Sequence, residues 1–371
     1  MKTERSELID LLKVCACILI VWHHLALYSP MAVVVSEWLP SLHDFLFEYG
    51  LLAVQVFLVV GGYLNGKSWS RVLADQKIQA MSRIWSRYTR LAIPLFVALS
   101  FAVLVTALIR PFFDHISLSA APTPWQVLAH VFFLQDVLYL EAFSAGVWYV
   151  AIDFQLFIMA IFCAWLAHAW QGSSGTGLVV RKALLLWGAL TLVSLFVWNL
   201  NPLDEIWGTY FLGAYGLGLC IGSWRYANLR YSYFHLNLLI ILVGALAFAY
   251  QPRERLAVAV VTAIFLCLYE ASECKPIQFL KASWLRNFSD ATYAIFVIHF
   301  GVSLLVSALV FNFWSENIPI NLMGLLLSFA LSIWLGRLIQ LHIESKPASL
   351  YRLLKWAAIF AASSSAAMWL S

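Results

Sequence analysis

The sequence predicts an all-α fold, a polytopic membrane bundle of about ten transmembrane helices, and three observations predict it. Of 371 residues, 63% are hydrophobic and only 11% charged, whereas soluble domains carry about a quarter charged residues. The apolar residues gather in runs of the roughly 20 residues that a helix needs to cross a hydrocarbon layer, without the strict alternation of a barrel strand. Lysine and arginine are unevenly shared among the connections. With the N-terminus in the cytoplasm, 19 of 23 fall on that side, only Arg110, Arg253 and Arg255 fall outside, and Lys13 lies within the first run, as expected if positive loops stay inside. The net charge of +4 is small, and no nucleic-acid partner is expected.

The ten runs fall at 8–28, 45–65, 91–111, 145–169, 183–200, 206–223, 232–250, 256–272, 291–313 and 320–343. The first contains Asp10, Lys13, His23 and His24 and has no small-residue cleavage site behind it, so it is expected to remain as a span. The second closes in GGYLNGKS, Gly61 to Ser68, which fits G-x-x-x-x-G-K-[ST] residue for residue. A phosphate loop needs a strand before it. Here an uncharged apolar run stands there, so Gly61, Gly62 and Gly66 are expected to let helices approach closely. Six basic residues separate this run from the third. The segment 356–370, with its serine run, is either an eleventh span or an interfacial helix. The six cysteines lie in runs or at their cytoplasmic ends without C-x-x-C spacing and are read as packing residues. No linker, low-complexity stretch or internal repeat divides the chain, so one transmembrane domain over 1–371 is expected, with no appended soluble domain.

Ionisable groups inside spans are unfavourable by at least ~2.5 kcal/mol each, which marks them as functional candidates. The first span holds the densest set. Lys13 and His24 are eleven residues apart, about 20° out of phase on a helix and roughly 16 Å apart along its axis. Asp10 lies about 40° from His24 on the same face, whereas His23 points away and is read as structural. Asp153 and Gln155 sit a third of the way into the fourth span. Tyr293 and His299, six residues apart, face opposite sides of the ninth, so only one of them readily meets the cavity that His24 faces.

These residues resemble a known family. IDLLKVCACILIVWHH is similar to the opening of the acyltransferase-3 family of integral membrane acyltransferases, with an acidic residue, a basic residue, ten intervening positions and a histidine. VFLVVGGYL resembles its second span, RYTR its Arg-x-x-Arg motif at Arg87 and Arg90, and VWYVAIDFQLF its tryptophan-containing span with a carboxylate and Gln. ATYAIFVIH resembles the late Ser/Thr-Tyr-x-x-Tyr-x-x-His span, and ESKP the terminal Glu-x-x-Pro. The resemblance touches the chain from Asp10 to Pro347. Departures are Lys13 where Arg is commoner, Gly61 for Ser, Phe154 and Phe157 for polar residues beside Gln155, and Phe296 for the second Tyr.

The resemblance implies a membrane O-acyltransferase that moves an acyl group, acetyl above all, from cytoplasmic acetyl-CoA or another acyl-CoA to a hydroxyl of a cell-surface polysaccharide or lipid-linked glycan. Its candidate catalytic set is His24, as base, with Lys13 and Asp10. Arg87, Arg90 and Lys67 are the candidates for acyl-CoA, whose anionic phosphates suit guanidinium forks. Asp153, Gln155, Trp148, Tyr293 and His299 are the acceptor or cavity candidates. Glu344 with Pro347 either ends the tenth helix or meets Arg87 and Arg90. No permanently bound cofactor and no metal are expected, and a bacterial inner-membrane location follows. The residues alone also fit a proton-coupled transporter or flippase, for which a buried Asp, Lys and His stripe is a proton path.

Overall fold

The computed structural model describes residues 6–74, 79–170, 176–272 and 282–370, which form helices and their connections, with no strand among them. Lys2, Arg5, Lys77, Lys275, Lys281 and Cys274, which entered the charge and cysteine readings, lie outside the described residues. In chain order the helices are α1 (Glu7–Tyr28), α2 (Pro30–Ser36), α3 (Pro40–Tyr49), α4 (Ala53–Ala74), α5 (Ala80–Ile109), α6 (Pro124–Val131), α7 (Val147–Ala169), α8 (Thr176–Phe196), α9 (Gly208–Trp224), α10 (Tyr233–Tyr250), α11 (Glu254–Ala271), α12 (Ser283–Trp314), α13 (Ile318–Ile339) and α14 (Leu350–Leu370). Pro30, Pro40 and Pro124 open α2, α3 and α6, where proline's missing N–H has no intrahelical partner to lose. Thr123 and Gln126 add a capping box to α6.

Among the described residues nine stretches are long and apolar enough to cross a membrane: Glu7–Tyr28, Pro40–Leu73, Ala80–Ile109, Val147–Ala169, Leu178–Leu200, Tyr233–Tyr250, Ser283–Trp314, Ile318–Glu344 and Leu350–Leu370. The runs at 206–223 and 256–272 form α9 and α11, which fall short of that measure. The 17 residues of α9 extend about 26 Å, and α11 carries Glu254, Arg255 and Glu270 within 18 residues. The segment at 356–370 belongs to the full-length helix α14. Of its serines, Ser365 donates back to the Ala361 carbonyl at 2.9 Å and so needs no other partner. Helices α5 and α12 begin several residues before their apolar runs, since a helix satisfies its backbone internally in water as well as in lipid.

The chain divides into two compact units, one of Met1–Ala53, Ser86–Ala151 and Phe279–Ser371, the other of Val54–Trp85 and Ile152–Gln278. In the first, α12 is the hub. It packs on α1 and α13 and lies against α5, where a Cβ on Gly301 would come within 2.9 Å of Phe101. Contacts between α1 and α12 advance together, Cys17 facing Thr292, His24 facing His299 and Ser29 facing Ser307. The two helices therefore run parallel. Phe360 of α14 packs on Phe96 and Phe143, with ring centroids 5.8 and 6.2 Å apart.

The connection between α5 and α7 doubles back along α5. Ser117 donates to the Tyr28 carbonyl at the end of α1, yet Val131 accepts from Tyr88 Oη at 2.6 Å, and Tyr88 precedes the end of α5 by about 30 Å of helix. His130 pins this turn: Nδ1 meets the Gln126 carbonyl at 2.7 Å, and Nε2 accepts from the Phe143 N–H at 3.2 Å. Complete burial, which penalises the charged imidazolium, holds its pKa down to about 4.

In the second unit α4 and α9 run parallel with backbones in contact. A Cβ on Gly62 would lie 1.9 Å from the Tyr215 carbonyl oxygen, and one on Gly66 2.4 Å from that of Leu219. From the other side Gly218 meets Val59 O at 2.0 Å and Gly222 meets Tyr63 O at 2.2 Å. Each helix thus presents a Gly-x-x-x-Gly face to the other. This is what the GGYLNGKS stretch does: a helix, not a strand, carries it, and its glycines pack against α9.

Candidate active site

Helix α1 sets the first group of functional side chains. Asp10 is buried and accepts from the Ser289 hydroxyl at 2.6 Å, while Lys13 Nζ donates to the Ser289 backbone carbonyl at 2.7 Å. One serine of α12 thereby engages the carboxylate through its side chain and the ammonium through its backbone. Arg90 of α5 and Lys13 both set positive charge against Glu344, and Asp290 opposes them. Glu344 ends a π-helical turn, Gln340–Glu344, an irregularity found often at functional sites. Its Oε2 is buried and has no hydrogen-bond partner among the described residues. The turn is closed by Arg352, which donates to the carbonyls of Ile343, Lys346 and Pro347.

Further along the same face of α1, His24 Nδ1 lies 2.7 Å from His299 Nε2. Both imidazoles are buried, at 4% and 1% exposure. His299 Nδ1 in turn meets the Phe296 carbonyl at 2.5 Å. Phe296 and Tyr28 border the pair, with ring centroids 6.4 and 5.7 Å from that of His24. Tyr149 stands edge-on to Phe296 at 5.5 Å, with Trp148 beside it. A Cβ at Gly146 would meet the Phe296 ring at 2.8 Å, so this glycine is what lets the start of α7 approach that ring. The departure at Phe296 leaves an apolar ring where a hydroxyl is usual, and its backbone carbonyl still holds His299. His23 faces elsewhere: its Nδ1 lies 2.9 Å from the Leu46 carbonyl and its Cβ abuts Gly50, which fastens α3 to α1.

The structure thus brings Asp10, Lys13, His24 and His299 onto one seam between α1 and α12, with Trp148 in the aromatic group that borders it. Tyr293 turns to the opposite side of α12 and donates to the Leu91 carbonyl of α5 at 2.7 Å. Arg87 is half-buried and Arg90 exposed, on the first turns of α5. Lys67, Asp153 and Gln155 belong to the second unit. There Lys67 pairs with Glu270 at 2.6 Å, and Tyr63 bonds to both. Gln155 holds the start of α9, its Oε1 accepting from the Gly208 N–H at 2.7 Å. Asp153 is buried. The three arginines read as outer are engaged locally: Arg110 with the Ser119 carbonyl, Arg253 with the carbonyls of Leu195 and Asn199, and Arg255 with Glu205. Among the described residues no group of three or more His, Cys, Asp or Glu is placed to hold a metal.

Ser289 and the Phe296 carbonyl were missed at the level of sequence. A signal existed for the serine. A parallel register that sets His24 beside His299 also sets Cys17 beside Thr292 and brings the first turns of α1 to the neighbourhood of Ser289.

Comparison with known proteins adds the chemistry. A family model for the acyltransferase-3 group, described as an acyltransferase domain, matches residues 7–337. A protein of Caenorhabditis elegans named Regulator of hypoxia-inducible factor 1 is 29% identical over 176 residues, 43% of this chain and 34% of that protein. The chain therefore spans about a third of the length of that curated relative. No solved structure matches.

Proposed function

The chain belongs to the acyltransferase-3 family of integral membrane acyltransferases, and from that premise we propose that it carries an acyl group, acetyl above all, from cytoplasmic acyl-CoA to a hydroxyl of a cell-surface or lipid-linked glycan. His24 acts as the general base. The observation that supports this reading is the seam itself: a buried imidazole and, closer to the start of the same helix, an ammonium and a carboxylate, all turned toward α12 and hydrogen-bonded to it.

Acyl transfer from a thioester needs a base for the hydroxyl proton, and a positioned imidazole supplies about 10²- to 10⁴-fold. His24 removes the proton as the acceptor oxygen attacks the thioester carbonyl carbon. The C–S bond breaks, and the thiolate of coenzyme A takes the proton from the imidazolium. Arg87 and Arg90 hold the phosphates of the donor as guanidinium forks, with Lys13 at the inner end of the seam. Asp10 and Ser289 align α1 with α12 at that end. Lys67, a candidate for the same phosphates, has its charge engaged by Glu270. The protein sits in the bacterial inner membrane with its N-terminus in the cytoplasm.

The test uses the full-length protein purified in detergent with radiolabelled acetyl-CoA and candidate glycans. Label is expected to move to the glycan, and His24→Ala is expected to abolish transfer without loss of the folded state. Absence of transfer or hydrolysis with any acyl-CoA, together with proton-dependent uptake into vesicles, would replace the enzyme by a transporter.

A further inference from the structure

We infer that His299 is a positioning residue for His24: it holds His24 in the tautomer that leaves Nε2 unprotonated, and so selects the ring nitrogen that acts as the base. This rests on the reading of His24 as the general base. The assignment follows from a short chain of donors and acceptors. A backbone carbonyl only accepts hydrogen bonds, so the 2.5 Å contact between His299 Nδ1 and Phe296 O places a proton on His299 Nδ1. A neutral imidazole carries one ring proton, which makes His299 Nε2 an acceptor. His24 Nδ1, 2.7 Å away, must then be the donor. Its single proton is therefore on Nδ1, and Nε2 keeps its lone pair.

The ring geometry agrees. The two planes are within 9° of each other, with centroids 4.9 Å apart. Rings stacked face to face keep their atoms about 3.5 Å apart, which forbids a 2.7 Å N···N contact. The rings instead meet edge to edge, with the hydrogen bond lying along both planes. Burial of both residues keeps water from offering Nδ1 another partner. The other imidazole nearby, His23, has its centroid 5.4 Å away and is engaged by the Leu46 carbonyl, so it does not compete for His24. During transfer Nε2 receives the acceptor's proton, and the imidazolium so formed donates through Nδ1 to His299 until the departing thiolate removes the proton from Nε2. No other reactant is consumed.

The experiment has two readouts on the full-length protein. The first is ¹⁵N spectroscopy of histidine-labelled wild-type protein, in which two-bond couplings report the protonated ring nitrogen, with His24 and His299 assigned by substitution. Both are expected as Nδ1–H tautomers, and a His24 carrying its proton on Nε2 overturns the proposal without need of any variant. The second is kinetic. His299→Met keeps the volume but removes the acceptor, and is expected to lower kcat at least ~100-fold with KM for acetyl-CoA within about threefold. His299→Gln sets an amide oxygen near the place of Nε2 and is expected to recover activity to within about tenfold of wild type. A folded His299→Met enzyme within threefold of wild type, or a His299→Gln enzyme no better than His299→Met, overturns it. The base reading fails separately, if His24→Ala retains transfer, whatever His299 does.

Discussion

Two pairs of parallel helices, one in each unit, are joined by opposite means. Helices α1 and α12 meet through polar side chains spaced about one to three turns apart, from Asp10 and Lys13 on Ser289 to His24 on His299 and Ser29 on Ser307. Helices α4 and α9 meet through the absence of side chains, with four glycines bringing backbone against backbone. In a membrane the hydrophobic effect does not hold helices together, so association must come from close packing or from hydrogen bonds. The glycine seam uses the first and is chemically inert. The polar seam uses the second, and among the described residues the buried His24 imidazole is hydrogen-bonded through Nδ1 alone. The glycine seam thus contributes to stability alone, whereas on the proposed reading the polar seam contributes both stability and chemistry.

If that division holds, substitutions in the glycine seam change the fold alone, and those in the polar seam change activity together with a smaller loss of stability. The largest effect is expected at the polar seam: His24→Ala should lower acyl transfer by about 10³-fold in a protein that still folds but melts lower, because it loses a buried hydrogen-bonded ring, as read by labelled-substrate assay and thermal unfolding in detergent. Next comes Gly62→Leu. Its Cβ would lie 1.9 Å from the Tyr215 carbonyl oxygen, a backbone atom that cannot swing aside, and a loss of about 3 kcal/mol or failure to fold is expected, measured by folded yield and melting. Ser289→Ala removes the hydroxyl that serves the buried Asp10 carboxylate and should destabilise by about 1–3 kcal/mol, with any fall in rate smaller than at His24. Least of all is Gly188→Ala in α8, where, its own helical turn aside, no atom of the described residues lies within 4 Å of the added Cβ and a change under about 1 kcal/mol is expected. A large loss there would mean that glycine acts in this chain by something other than close approach.

The sequence made these two seams visible to different degrees. Hydropathy located every long helix, because insertion in lipid acts on each segment separately. It marked α9 and α11 as well, the one short and the other charged at its ends, and it left α14 open. The placement of Asp10, Lys13 and His24 on one face followed from 100° per residue. Their partners did not, because a serine 279 residues away in sequence from Asp10 is cheap to bury and leaves no hydropathy signal. Tyr293 and His299 were separable by the same arithmetic, and they do turn to α5 and α1 respectively. The doubling back of the α5–α7 connection was hidden too, since it depends on Tyr88 and His130 meeting single backbone groups that only the folded chain brings near. The glycine stretch shows the opposite case, in which the apolar run before it already pointed away from a phosphate loop. Its letters match a phosphate loop, and the local secondary structure, a helix, decides what they do.

The most direct test is the acyl-transfer rate per folded molecule of His24→Ala and Gly62→Ala, each purified full-length in the same detergent with labelled acetyl-CoA. The account predicts that His24→Ala, per folded molecule, is about 10³-fold slower, while Gly62→Ala melts lower and turns over at nearly the wild-type rate for as long as it stays folded. A folded His24→Ala protein that transfers acyl groups at the wild-type rate would contradict it.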